Sequence, residues 1–298
     1  MLRVFALLTL VVACRETRQQ SASQASGEPA ESFVTVNDAK LFVRSVGGSP
    51  TSPTLVVVHG GWGLSHEYLR GLDALASPSL RIVYYDQRGV GHSTGVIGQD
   101  AFARNIDDLE AVRADLHIEH MIVLGHSAGG LTALAYAIAH PEHVAKLLLI
   151  DGIAPTRKEW EAGRQRLNTR IGELADKGVI APARNGDSTA FLQSILPVYF
   201  VNTSHPGSKS LGGATFKLDV GRATDSSLGD FDFTAKTATL TMPVFVYAAE
   251  VPFGNMGSVV LESLPADKAT RLIVSDCGHL PWIECPERFV PAIRSFVQ

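Results

Sequence analysis

Runs of apolar residues that do not alternate with polar ones, each closed by a turn, recur along this chain. Thr54-Leu55-Val56-Val57-Val58-His59, Arg81-Ile82-Val83-Tyr84-Tyr85, Met121-Ile122-Val123-Leu124 and Val144 to Ile150 are of this kind. Continuous β-branched runs of that length read as strands buried on both faces. Between them lie helical patterns. Ile106, Leu109, Val112 and Leu116 recur at helical spacing over Asn105 to Leu116, with Asp107, Asp108, Glu110 and Arg113 on the wet side. An Ala-rich segment, Leu131 to Ala139, stops at His140-Pro141. Ahead of all these, Phe33 to Val36 and Leu41 to Val46 read as a hairpin across Asn37-Asp38-Ala39. Strand, helix, strand in alternation predicts the α/β class, with a mainly parallel sheet and helices on both faces.

From Ala154 to about Ala235 the alternation stops. Lys158 to Leu174 is charged and helical, Ala190 to Tyr199 is more apolar, and His205 to Asp230 is rich in Gly and Ser and poorly patterned. The sheet pattern resumes with Val244-Phe245-Val246-Tyr247-Ala248, a helix over Ser258 to Leu264, a strand over Arg271 to Val274 and a closing helix that starts at Pro286 beside Glu287. The predicted organisation is a core of residues 32–153 and 236–298, interrupted by an inserted, mostly helical cap over 154–235.

Candidate chemistry begins at Gly125-His126-Ser127-Ala128-Gly129-Gly130. A strand before it and a helix after it give G-x-S-x-G the context of a nucleophile elbow, in which a strained turn presents the serine. The following helix aims its first amide groups at the reacting centre. Ser127 is thus the candidate nucleophile. Chain order is informative for ligands too, since open α/β sheets bind them at the carboxyl ends of the strands.

The amino terminus is a different kind of segment. Met1-Leu2-Arg3 carries one positive charge, and Val4 to Ala13 is apolar but too short to span a bilayer. Residues 1–13 read as an export signal. The end, Val11-Val12-Ala13-Cys14, resembles a bacterial lipobox, which makes Cys14 a candidate lipidation site; a plain secretory signal is the alternative. Residues 14–31 read as a polar tether. Either way the protein is expected outside the cytoplasm, as an envelope lipoprotein or else periplasmic or secreted, with a membrane partner only through Cys14. Among 298 residues, 45% are hydrophobic and 19% charged, which suits one large globular domain. The net charge of −4 argues against a nucleic-acid partner. Cys277 and Cys285 are read as buried or free thiols, with a local bridge as the alternative. No metal cluster and no cofactor motif are recognised.

The motifs together resemble a family, the α/β-hydrolases, and within it most closely the proline iminopeptidase branch. They are His59-Gly60-Gly61-Trp62-Gly63 with His66-Glu67-Tyr68-Leu69, Asp86-Gln87-Arg88-Gly89-Val90-Gly91-His92-Ser93, Gly125 to Gly130, and Gly278-His279-Leu280-Pro281 with Glu284-Cys285-Pro286-Glu287. The resemblance implies that Ser127 attacks a carbonyl and forms an acyl-enzyme. His279, late in the chain, would be the base, and the amides of Gly61 and Ala128 the oxyanion hole. It makes Asp86 to Ser93 a bracing turn rather than a set of catalytic groups.

The third triad member departs from that pattern. The position where the family's acid follows the strand beginning at Pro243 holds Pro252. Asp151, at the end of the preceding strand, and Glu250, two residues before the vacant place, are the two candidates, with Asp151 preferred. The expected activity is cleavage of an ester or amide, with aminoacyl or prolyl substrates included, on a small molecule or short peptide. Glu159, Glu161 and Glu173 are the acids available in the insertion to bind a substrate amine, but helices usually carry such charges on solvated faces. A binding protein that has lost turnover is the rival reading.

Overall fold

The computed structural model describes residues 28–184, 186–254, 256–273 and 276–298; Cys14 and the expected export signal over residues 1–13 lie outside them. The chain runs β1 (Ala30–Val36), β2 (Ala39–Val46), β3 (Thr54–Val58), a 3-10 helix (His66–Leu75), β4 (Arg81–Tyr85), α1 (Ala101–Asp115), β5 (Met121–His126), α2 (Ala128–Ala139) and β6 (Val144–Ile150). An insertion follows with α3 (Arg157–Asp176), α4 (Ser188–Ser194), α5 (Leu218–Ser227) and α6 (Thr234–Thr237). Then come β7 (Val244–Ala248), α7 (Gly257–Ser263), β8 (Ala269–Ile273), α8 (Pro281–Glu284) and α9 (Pro286–Val297).

The strands form one sheet of eight in the order β1-β2-β4-β3-β5-β6-β7-β8. The hairpin pairs antiparallel, β2 joins β4 antiparallel, and every later pairing is parallel. Every residue of β3, β4, β5 and β7 is buried, because the alternating side chains of one strand feed two cores. Leu55, Val57, Ile82, Tyr84, Leu124 and Tyr247 pack on one face with Trp282 and Phe289. Val56, Val58, Val83, Val123, Leu149 and Val246 pack on the other with residues of α1 and α2. That division explains why these strands show no polar alternation.

Two expectations are corrected. Residues 205–230 are not patternless, since α5 lies within them. Its sequence, with Gly221, Thr224 and two closing serines, has weak intrinsic helical preference; the helix forms where Gly221 packs against the backbone of the loop after β3. The second correction concerns the cysteines. Cys277 and Cys285 form a disulfide, with Cα atoms 6.1 Å apart, rather than standing as free thiols. The short α8 turns the chain back, so that the two buried side chains meet, while the Tyr247 hydroxyl donates to the Cys277 carbonyl. The pair is 8 positions apart in the chain, and closing a loop of that size contributes about 2.5 kcal/mol on the chain-entropy account. Cys277→Ser/Cys285→Ser is therefore expected to lose about that much in denaturant unfolding; an unchanged midpoint would show that the bridge adds nothing to stability.

Candidate active site

The carboxyl ends of neighbouring strands bring the site together. In register, Val58 lies beside Gly125, His126 beside Ile150, and Ile150 beside Tyr247. The residues that follow those ends are Gly60 and Gly61 after β3, Ser127 after β5, Asp151 after β6 and Ala249 after β7. His279 follows β8 and precedes α8.

Ser127 has φ 55° and ψ −124°, a conformation that non-glycine residues adopt only when the surroundings force it. Here its amide donates to the Ile150 carbonyl at 3.0 Å, while its carbonyl accepts from Gly130 and Ile153. The elbow is thus tied to the strand beside it. Gly60 passes so close that a β-carbon there would sit 2.9 Å from that of Ser127, which is the reason for glycine at this point.

His279 is buried, with its Nδ1 against a carboxylate oxygen of Asp151. The other oxygen of Asp151 accepts from the Ala249 amide at 3.0 Å. Asp151 is itself buried and has φ 46°, a left-handed conformation that Asp tolerates better than most residues. Glu250 lies exposed on the surface. Of the two candidate acids, the fold brings Asp151 to His279 and leaves Glu250 outside. The imidazole is walled by Tyr199, Phe253 and His126, with ring centroids 5.4, 5.1 and 4.4 Å away. Its main-chain amide donates to Tyr199 at 2.9 Å.

Ser127, His279, Gly60, Gly61 and Ala128 line one cavity of about 510 Å3, within the usual range for a small-molecule site. The far wall comes from the insertion, including Leu167, Ile171, Leu192, Ile195 and Phe216. Glu159, Glu161 and Glu173 do not line it.

A chain of hydrogen bonds behind the cavity escaped the sequence reading, although Tyr68 and His126 both stand in quoted motifs. The Gly60 amide donates to the Tyr68 hydroxyl at 2.7 Å, and that hydroxyl is 2.7 Å from His126 Nδ1. His126 Nε2 lies 3.0 Å from the His279 carbonyl. One set of roles satisfies every group: Tyr68 donates to a neutral His126, which donates from Nε2 to the carbonyl. Burial, and then the neighbouring His279, hold His126 well below its ordinary pKa, in keeping with the neutral form. The loop after β3, the elbow and the histidine loop are thereby linked. Glu284 adds a second brace, accepting from the amides of Gly278 and Asn202, each at 2.7 Å. The Tyr68–His126 contact spans 58 positions and the Glu284–Asn202 contact 82, so no short-range sequence pattern marks them.

His59 is buried behind the same loop. Its Nε2 accepts from the Gln87 amide at 2.8 Å, and its Nδ1 faces the Gly60 carbonyl at 3.2 Å. Burial takes its pKa down to about 4. In the unfolded chain it protonates near its ordinary value of about 6.5. As pH falls from about 6.5 to about 4, the unfolded state binds a proton that the folded state refuses, so stability is lost across that window. The loss from this group is about 3 kcal/mol, to be read as a falling denaturation midpoint; a midpoint that stays flat from pH 6.5 to 4 contradicts it.

Asp86 is a brace. One oxygen accepts from the His66 amide and Nδ1, each at 2.9 Å, and the other from the His92 amide at 2.9 Å. His66, Glu67 and Asp86 bring three potential metal-ligand atoms within 4.8 Å of one another, but both Asp86 oxygens are already engaged in this network.

Comparison with known proteins agrees with the architecture. Residues 53–193 match the family described as alpha/beta hydrolase fold. A proline iminopeptidase of Clostridioides difficile is 22% identical over 287 residues, covering 90% of this chain and 97% of that protein. The crystal structure of a Mycobacterium smegmatis proline iminopeptidase superposes with a TM-score of 0.67 at 21% identity, covering 90% of this chain and 97% of the other. An esterase from a Rhodococcus species gives 0.68 at 24%, covering 90% and 98%. The sheet order, the strained turn at Ser127 and these matches show that the chain has the α/β-hydrolase fold.

Proposed function

We propose that this protein is a serine hydrolase that cleaves esters by way of an acyl-enzyme. The observation that carries the proposal is the buried Asp151–His279 pair opening onto the cavity that holds Ser127. In this reading His279 takes the proton of the Ser127 hydroxyl as its oxygen attacks the carbonyl carbon. The tetrahedral oxyanion is held by the amides of Gly61 and Ala128. His279 then returns the proton to the departing alkoxide, and a water molecule, activated in the same way, releases the acid and restores Ser127. Asp151 fixes the tautomer of His279 and stabilises its protonated form. The insertion acts as a cap that supplies the apolar wall.

Both a proline iminopeptidase and an esterase stand among the relatives, and the cavity favours the second. A free substrate amine needs an unengaged carboxylate. Among the described residues lining the cavity the one carboxylate is Asp225. Its oxygens are taken by Arg157, Arg164 and the Trp160 indole at 2.8 to 3.0 Å. An ammonium group would meet apolar walls and cations. The non-catalytic alternative rested on the vacant acid position, and Asp151 supplies a carboxylate in its place. The test is one aminoacyl ester assayed with its amine free and acetylated. Acetylation is expected to raise kcat/KM by about tenfold or more; loss of turnover on acetylation would instead make this an aminopeptidase.

A further inference from the structure

We propose that the preferred substrate is an apolar ester bearing a carboxylate away from the reacting carbonyl, and that Arg222 receives that carboxylate. This deepens the ester-hydrolase reading and rests on it. Three charged side chains besides histidine line the cavity among the described residues: Arg164, Arg222 and Asp225. Asp225 is overcommitted. Oδ1 accepts from Arg157 at 2.8 Å and from Trp160 at 3.0 Å, and Oδ2 from Arg164 at 3.0 Å. One carboxylate thus faces two guanidinium groups, so the cluster is net cationic before Arg222 is counted.

Arg222 lies three residues before Asp225 on α5, with no hydrogen bond or ion pair among the described residues. Asp219, one turn earlier, makes no ion pair with it. The position of Arg222 is set by the backbone rather than by a flexible loop. A β-carbon on Gly221 would sit 2.7 Å from the Gly61 carbonyl, and the Lys217 amide donates to the Gly63 carbonyl at 2.8 Å. The start of α5 is therefore packed on the loop proposed to hold the oxyanion, and Arg222 follows immediately on the wall. Elsewhere that wall is made of side chains such as Leu167, Ile171 and Ile195, which offer a charged group nothing. Arg222 is exposed to solvent as well as lining the cavity; its guanidinium presents a planar fork matched to a carboxylate, and losing it removes the bidentate partner of the substrate anion.

The experiment compares mono-p-nitrophenyl adipate with p-nitrophenyl hexanoate, two esters of equal chain length that differ in a terminal carboxylate. The wild-type ratio of kcat/KM, acid over neutral, is expected to exceed ten. It should fall at least tenfold in Arg222→Gln and be partly kept in Arg222→Lys. A wild-type ratio of one or less, or a ratio that Arg222→Gln does not move, overturns the carboxylate site while turnover of the hexanoate leaves the hydrolase reading standing. Should neither ester be turned over, the hydrolase reading falls. Calorimetric affinities for monomethyl adipate and methyl hexanoate then decide the carboxylate site separately, and equal affinities overturn it.

Discussion

Asp151→Asn is expected to lower kcat by about four orders of magnitude, the size of effect seen when the acid of a serine triad becomes an amide. The carboxylate at this position accepts from His279 Nδ1 and from the Ala249 amide at once. An amide can keep one of these bonds by its carbonyl, but it offers its NH2 group to the other partner and favours the wrong imidazole tautomer. It also removes the negative charge that, in the proposed mechanism, stabilises the imidazolium formed during attack. Folding should survive, because asparagine tolerates the φ of 46° found here. The decisive contrast is Glu250→Gln. That side chain is on the surface, and its loss should leave kcat within about twofold, as for a surface change away from the chemistry. A wild-type rate for Asp151→Asn, or a collapse for Glu250→Gln, would reverse the assignment.

Ser127→Ala and His279→Ala are each expected to cost about 10^6 in kcat, and the double variant little more than either alone, since members of one triad act as a unit. The activity left over, about 10^3 above the uncatalysed rate, would report the amides of Gly61 and Ala128 and the cavity itself. Additive losses would mean that the two residues do not act in one proton transfer. The histidine loop is well held for the proposed proton transfer. The Cys277–Cys285 bridge closes it, Glu284 takes the Gly278 amide, and His126 meets the His279 carbonyl.

How much of this was legible in the sequence follows from the range of each interaction. The buried strands were legible because a parallel sheet covered on both faces demands unbroken apolar runs, and Thr54 to Val58 or Val244 to Ala248 can do little else. Ser127 was legible because its turn needs small neighbours within two residues on either side. Asp151 was visible only as one of two options; what separates it from Glu250 is that β6 lies between β5 and β7, which is a matter of strand order. The long-range contacts were not legible. Tyr68 meets His126 across 58 positions and Gly221, within the insertion, meets Gly61 in the core, and neither leaves a local pattern. Helix α5 failed for the same reason, since its packing against the Gly61 loop outweighs a weak intrinsic preference. The cysteine pair was misjudged because two cysteines in a domain of this size usually do not bond, whereas α8 returns the chain to the point where they meet.

The most direct measurement is covalent labelling with a fluorophosphonate followed by mass mapping of the modified peptide. Such a probe reacts with a serine only where a base activates it and amides receive the oxyanion. The expected result is a single adduct on Ser127 in the wild type, formed far more slowly in Asp151→Asn and not at all in Ser127→Ala. An unmodified wild-type protein, or an adduct on a different serine, would contradict the account of this cavity as the site of a serine hydrolase.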